Sequence, residues 1–148
     1  MGQSATIMCA PTWDLASLSA LVEVAARDAG ARFLDHGDQL EVWSQDGYLM
    51  LLAYEYADTA FAVEDWSTNE FVDERFRREV PGLRFLNVQF HYVDVTRQVL
   101  RAFSQAAMSR GETGWIDTDY GWVIHVRDFV KKTDDDPHWD WRYESNPA

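Results

Sequence analysis

"QLEVWSQDGYLMLLAYEY", residues 39–56, is the stretch on which the fold turns. In its first half Leu40 and Val42 alternate with Gln39, Glu41 and Trp43, and a period of two puts the two sets on opposite faces of a β-strand. Asp46-Gly47 follows, a pair that accepts the positive φ angles of a two-residue hairpin turn. The apolar run beyond it, residues 48–56, reads as the returning strand.

Working outward, ARFLDH (31–36) with a turn at Gly37-Asp38 reads as a further strand, and AFAVED (60–65), after a turn near Asp58, as another. RFLNVQFHYV (84–93) alternates Leu86, Val88, Phe90 and Tyr92 against Asn87, Gln89 and His91, the pattern of a long or central strand. ATIMCA (5–10) is a short buried strand, and GWIDTDYGWVIH (114–125) holds a pair on either side of a turn.

Two helices frame the strands. Leu15, Leu18, Leu21, Val22, Ala25 and Ala29 share a face, with Thr12 as expected N-cap and Gly30 as stop. Val99, Leu100, Phe103, Ala106 and Ala107 form a second stripe, with Asp94 as cap and Gly111 as stop. Ser67 and Glu70 predict a capping box for a short helix running to Glu79, and residues 127–132 a last short helix. Strands joined by tight turns predict an α+β fold, a mainly antiparallel sheet with two long helices packed on one face. The absence of linkers and repeats makes residues 1–148 a single domain, with 134–148 an acidic and aromatic tail folding back or partly mobile.

A chain of 148 residues, 47% apolar and 14% aromatic, carries ample core for one such domain. Its single cysteine, Cys9, rules out an internal disulfide, and the start lacks a secretory pattern, so the expected location is the cytoplasm. No apolar run approaches the roughly 20 residues of a membrane span. A net charge of −12 argues against nucleic acid as a partner. The charge is uneven: between residues 33 and 74 there is no Lys or Arg, while Glu41, Asp46, Asp58, Glu64 and Asp65 are among the acids there. Such a stretch suits a basic partner.

The chemistries that acids, histidines and cysteine suggest are each met by a plainer reading. Asp117, Asp119 and Asp128 fall at positions 1, 3 and 12 of a calcium-loop pattern, but position 5 is Gly121 and bulky Trp122 stands at position 6, where the sharp bend needs glycine. DTDYG is therefore expected to be a turn whose Asp side chains bond their own backbone, with no cleft beside it. His36, His91, His125 and His138 lack zinc-ligand spacing, so no metal is expected. Cys9 precedes a helix but has Leu15, not arginine, six residues on, and reads as a buried apolar residue. No catalytic signature or cofactor motif occurs, and no catalytic residue or cofactor is assigned. Trp139 and Trp141 are expected to fold onto the sheet, the alternative being exposed anchors.

At GWIDTDYGWVIHVRDFV (114–130) and PHWDWR (137–142) the chain resembles small acidic bacterial immunity proteins of polymorphic toxin systems. The resemblance implies an α+β protein that is not an enzyme and that binds and neutralises a cognate secreted toxin. It transfers no binding residue. Read from charge and aromatic content, the partner-binding residues are Glu41, Trp43, Asp46, Asp58, Glu64 and Asp65, facing a basic toxin surface. A second reading is a small-ligand binder or enzyme with a cleft lined by Asn87, Gln89 and His91. A third is a structural or regulatory subunit that oligomerises through exposed aromatics.

Overall fold

Seven strands form one antiparallel sheet in the computed structural model, which describes residues 2–143. They are β1 (Gln3–Cys9), β2 (Arg32–Asp35), β3 (Leu40–Trp43), β4 (Leu49–Glu55), β5 (Arg84–Phe90), β6 (Gly114–Asp117) and β7 (Val123–His125), in the order β2-β3-β4-β5-β1-β6-β7. The strand expected to be central, β5, occupies the middle of the sheet. It pairs with β1 along the whole length of both, from Gln3 opposite Phe90 to Cys9 opposite Arg84.

The sheet is covered by five helices rather than by the two long ones alone. On one face lie α1 (Leu15–Asp28), α4 (Val93–Ser109) and α5 (Val126–Asp135), which share a core with Ala5, Ile7, Leu51, Leu86, Val88 and Ile116. On the other lie α2 (Ala60–Ser67) and α3 (Glu74–Glu79), followed by a 3-10 turn at Val80–Gly82. Here Phe76, Val80 and Trp66 close over Met8, Phe85 and Trp115. Among the described residues no helix is long and apolar enough to cross a membrane.

Several local expectations are corrected by the side chains. The hairpin after β3 is not a two-residue turn: Ser44 N–H bonds the Tyr48 carbonyl, leaving Gln45, Asp46 and Gly47 in the loop with Gly47 alone at positive φ (89°). That is the three-residue loop with a left-handed glycine. Asp14, not Thr12, caps α1, its carboxylate accepting from Ser17 N–H at 2.7 Å, while Thr12 donates to Glu112. AFAVED is not a strand but most of α2. Its apparent alternation gives way to helical spacing, because Ala62, Val63 and Trp66 reach the smaller core on one side. The Ser67–Glu70 capping box does not form: Ser67 ends α2, and Asp73 caps α3 through Arg75 N–H. Asp94 lies in the first turn of α4 and Tyr92 takes the N-cap position.

The tail folds back over the larger core as far as it is described, and its residues 144–148 lie outside the described residues. Trp141 is wholly buried, stacks at a tilt on Phe90 (5.1 Å between centroids) and donates its indole N–H to the Val93 carbonyl at 3.0 Å. Trp139 is buried against Phe129 and donates to the Tyr143 carbonyl. Truncating so large a buried side chain leaves a cavity and an unpaired carbonyl. Trp141→Ala is expected to lower the free energy of unfolding by about 3–5 kcal/mol, while Phe71→Ala, at a fully exposed position, shifts it by about 0.5 kcal/mol or less. Urea titration followed by circular dichroism measures both.

Candidate functional site

The six residues expected to bind a partner all belong to the second face of the sheet or its rims, but not to one patch. Glu41 and Trp43 sit side by side on β3, opposite the faces of Leu40 and Val42 that enter the core. Glu41 is not a free charge: its side chain is only 14% exposed and accepts from Gln39, from the Trp43 indole and, at 2.8 Å, meets His36. The bonds from His36 and then Trp43 hold its carboxyl below the usual range. Asp46 is exposed at the turn before β4, whereas Asp58 follows β4 at its other end. The seven residues of β4 separate the two by about 23 Å at the usual strand rise.

Asp58, Glu64 and Asp65 do come together with apolar surface. Glu64 and Asp65 are exposed on α2, and Asp58 Oδ1 accepts from Ala60 N–H at the start of that helix. Beside them Phe61 is 77% and Phe71 99% exposed. Together with Ala62, Asp65, Trp66 and Asn69 they line an open depression of about 600 Å³. Aromatic patches this bare are common at contact surfaces of other proteins.

A smaller cavity of about 270 Å³ opens on the other side of Phe61, Ala62 and Trp66, where α2 meets the sheet. Its floor is Phe85, and Ser4, Thr6, Tyr56, Thr59, Asp58, Asp117 and Asp119 complete its walls. The expectation of no cleft beside DTDYG is therefore corrected, although the turn itself forms as expected. Asp117 Oδ1 accepts from Asp119 N–H at 2.9 Å, and Asp119 takes a left-handed φ of 64°, which Asp tolerates better than most residues. Ser4 donates to Asp119 Oδ2 and Tyr120 to Gln3 Oε1, so the turn is tied to β1.

The two aspartates occupy different surroundings. Asp119 is exposed. Asp117 is opposite Thr6 and, two residues from buried Trp115, shares its face of β6. Burial, with a smaller push from the Asp119 charge, raises its carboxyl to about 6, against the opposing bond from Asp119 N–H. The signal in the sequence was the spacing Trp115-x-Asp117, which puts an acid on the same strand face as a core tryptophan. A strand at AFAVED would leave that spacing without a cavity, and the helix found there walls one.

The polar residues of β5 are otherwise engaged. Asn87 is buried and accepts from the Tyr56 hydroxyl at 3.0 Å, and Gln89 donates to the Tyr54 hydroxyl. His91 lies beyond the last residue of β5 and is exposed, so it does not join them in a cleft. Cys9 is buried, as read from the sequence. Burial pushes its thiol up to about 12, and it donates to the Arg84 carbonyl. His125 accepts from Arg127 N–H through Nδ1 at the start of α5, and burial, then the Arg75 charge, lowers its pKa. Among the described residues no three acids, histidines or cysteines converge so as to hold a metal ion.

Compared with known protein families, with characterised proteins and with solved structures, the chain matches none. Function must be argued from its own surface.

Asp117 binds its proton more tightly folded than unfolded, since its folded pKa of about 6 exceeds the ordinary 3.8. Its contribution to stability is full below the unfolded value and is lost as pH rises through the folded one. Asp117→Asn keeps an oxygen for Asp119 N–H and removes this loss. The variant is expected to match the parent at pH 4 and to exceed it at pH 8 by on the order of 2 kcal/mol, read from urea unfolding at both pH values.

Proposed function

We propose that this protein is a non-enzymatic inhibitor that binds a basic protein partner through the surface of α2, in the manner of an immunity protein against a secreted bacterial toxin domain. The observation that carries this reading is the pairing of bare aromatics with unneutralised acids: Phe61 and Phe71 stand exposed beside Glu64, Asp65 and Asp58. The chain has no Lys or Arg between residues 33 and 74, and the nearest arginines in sequence are those of α3, of which Arg75 is paired with Glu79. Interfaces divide labour in this way, the charges speeding encounter and the central aromatics slowing separation. Glu41 contributes less to such a surface than its position on β3 first suggests, because its oxygens already accept from three side chains.

The cavity chemistry favours binding over catalysis. Among the described residues its lining holds no histidine, cysteine, lysine or arginine, and the Ser4 hydroxyl donates to the Asp119 carboxylate without the histidine or lysine that accompanies a serine nucleophile. The resemblance of residues 114–130 and 137–142 to immunity proteins points the same way and supplies the candidate partner, the toxin domain encoded by the neighbouring gene.

Biolayer interferometry with that domain is the test. One-to-one binding is expected, with an association rate that falls about tenfold or more between low and high salt. Glu64→Gln with Asp65→Asn lowers the association rate at low salt, and Phe71→Ala speeds dissociation at a cost of about 2 kcal/mol. No binding, or binding indifferent to all three changes, overturns the proposal.

A further inference from the structure

The cavity between α2 and the β6–β7 turn has a composition that its structural role does not require. Three carboxylates, from Asp58, Asp117 and Asp119, line it together with the hydroxyl-bearing Ser4, Thr6 and Tyr56, and among the described residues no cationic side chain accompanies them. Asp117 is the informative member. Only its Oδ1 accepts a hydrogen bond, from Asp119 N–H, and among the described residues Oδ2 has no partner. Asp117 is half-buried, and a carboxylate partly withdrawn from water and facing a cavity favours a cation beside it. What is missing from this cavity is a positive charge.

Size and walls narrow the choice of cation. The carboxylates do not converge on a point in the way a metal ion needs. At about 270 Å³ the cavity falls just under the range of about 300–1,000 Å³ typical of small-molecule sites, which suits one side chain rather than a cofactor. Trp66 and Phe61 on α2 and Phe85 on β5 offer apolar surface for a methylene stem and ring faces for a cation. The opening adjoins the Phe61 and Phe71 depression, because Phe61, Ala62 and Trp66 line both.

We infer that this cavity is the receptor for a single arginine or lysine side chain presented by the protein partner, seated between the Asp58, Asp117 and Asp119 carboxylates and the rings of α2. This rests on the reading of the α2 surface as a partner-binding face and names the anchor it takes. The seat responds to pH. Asp117 is ionised above about pH 6 and loses its charge below it. The other titratable groups lining the cavity are Asp58 from the β4–α2 loop, Tyr56 at the end of β4 and Asp119 from the turn, while β1, β5 and α2 contribute only uncharged side chains.

Agmatine, a guanidinium on a four-carbon stem, is the probe, titrated into the isotope-labelled protein and followed by amide chemical shifts. Saturable shifts are expected at Ser4, Thr6, Tyr56 and Trp66 at pH 7.5, weakening at least tenfold at pH 5. N-butylurea, its uncharged counterpart, is expected to leave these amides unmoved. Asp117→Asn and Asp58→Asn, each checked for an unchanged amide spectrum away from the cavity, are expected to weaken binding at least fivefold. No saturable shift at these amides, equal binding of butylurea, or undiminished binding by Asp117→Asn overturns the inference. A second arm adds the partner domain to the agmatine-bound protein. Displacement of agmatine supports a partner side chain, and simultaneous binding assigns the cavity to a free cation and overturns the partner form. The agmatine titration needs no partner, so it can fail while the α2 surface still binds through Phe71, Glu64 and Asp65.

Discussion

Strand β1 must be buried on both faces, and the rest of the architecture answers to that. It lies between β5 and β6, and alternate residues serve opposite cores: Ala5, Ile7 and Cys9 meet the α1–α4–α5 layer, and Met8 meets α2 and α3. A strand covered on both sides needs two layers of helix, which is why the short segments at residues 60–67 and 74–79 become helices rather than extra strands. The second layer is small. It closes over Met8, Phe85 and Trp115, then stops, and Thr6 and Asp117, next along β1 and β6, are left at its margin.

That margin explains how one chain treats its carboxylates so differently. Glu79, the last residue of α3, is partly buried against the sheet, which works to raise its pKa, but the Trp115 indole, the Thr113 hydroxyl and Arg75 all bond it and the net effect is a lowered value. Asp140 is held low by Arg142, which donates to it and also reaches Gln3. Asp117 is half-buried at the edge of that layer, and among the described residues the one donor it finds is a backbone amide of its own turn. Groups shifted by burial without a compensating partner concentrate at functional sites. The same boundary leaves Phe61 and Phe71 outside while Ala62, Val63 and Trp66 of the same segment go in, so the bare aromatics and the cation-poor cavity are two products of one incomplete layer.

Much of this could be read along the chain. The alternation in residues 39–56 and 84–90 correctly located β3, β4 and β5, and Gly30 and Gly111, at φ of 67° and 69°, end α1 and α4 where expected. Helix starts were less legible: Thr12 and Asp14 are both good caps, and the choice fell to Asp14 because Thr12 had Glu112, far away in sequence, to bond. The turn at DTDYG was legible as a turn, since Asx bonding is a local property. Its cavity was not.

Alternation, turn residues and charge therefore sufficed for the fold class, the hairpins, the two long helices and the acidic character of the middle of the chain, because each depends on neighbours within a few residues. Tertiary structure alone decided which acids remain free. Glu41 is engaged and Glu64 and Asp65 are bare, a distinction set by what packs across strands. It likewise decided that residues 60–67 are helical, because that choice depends on the apolar side of Met8 and Phe85 waiting for cover. A carboxylate's surroundings are a sum over elements distant in sequence, and only when β1, β6 and α2 meet does Asp117 face a cavity in which, among the described residues, no counter-charge stands.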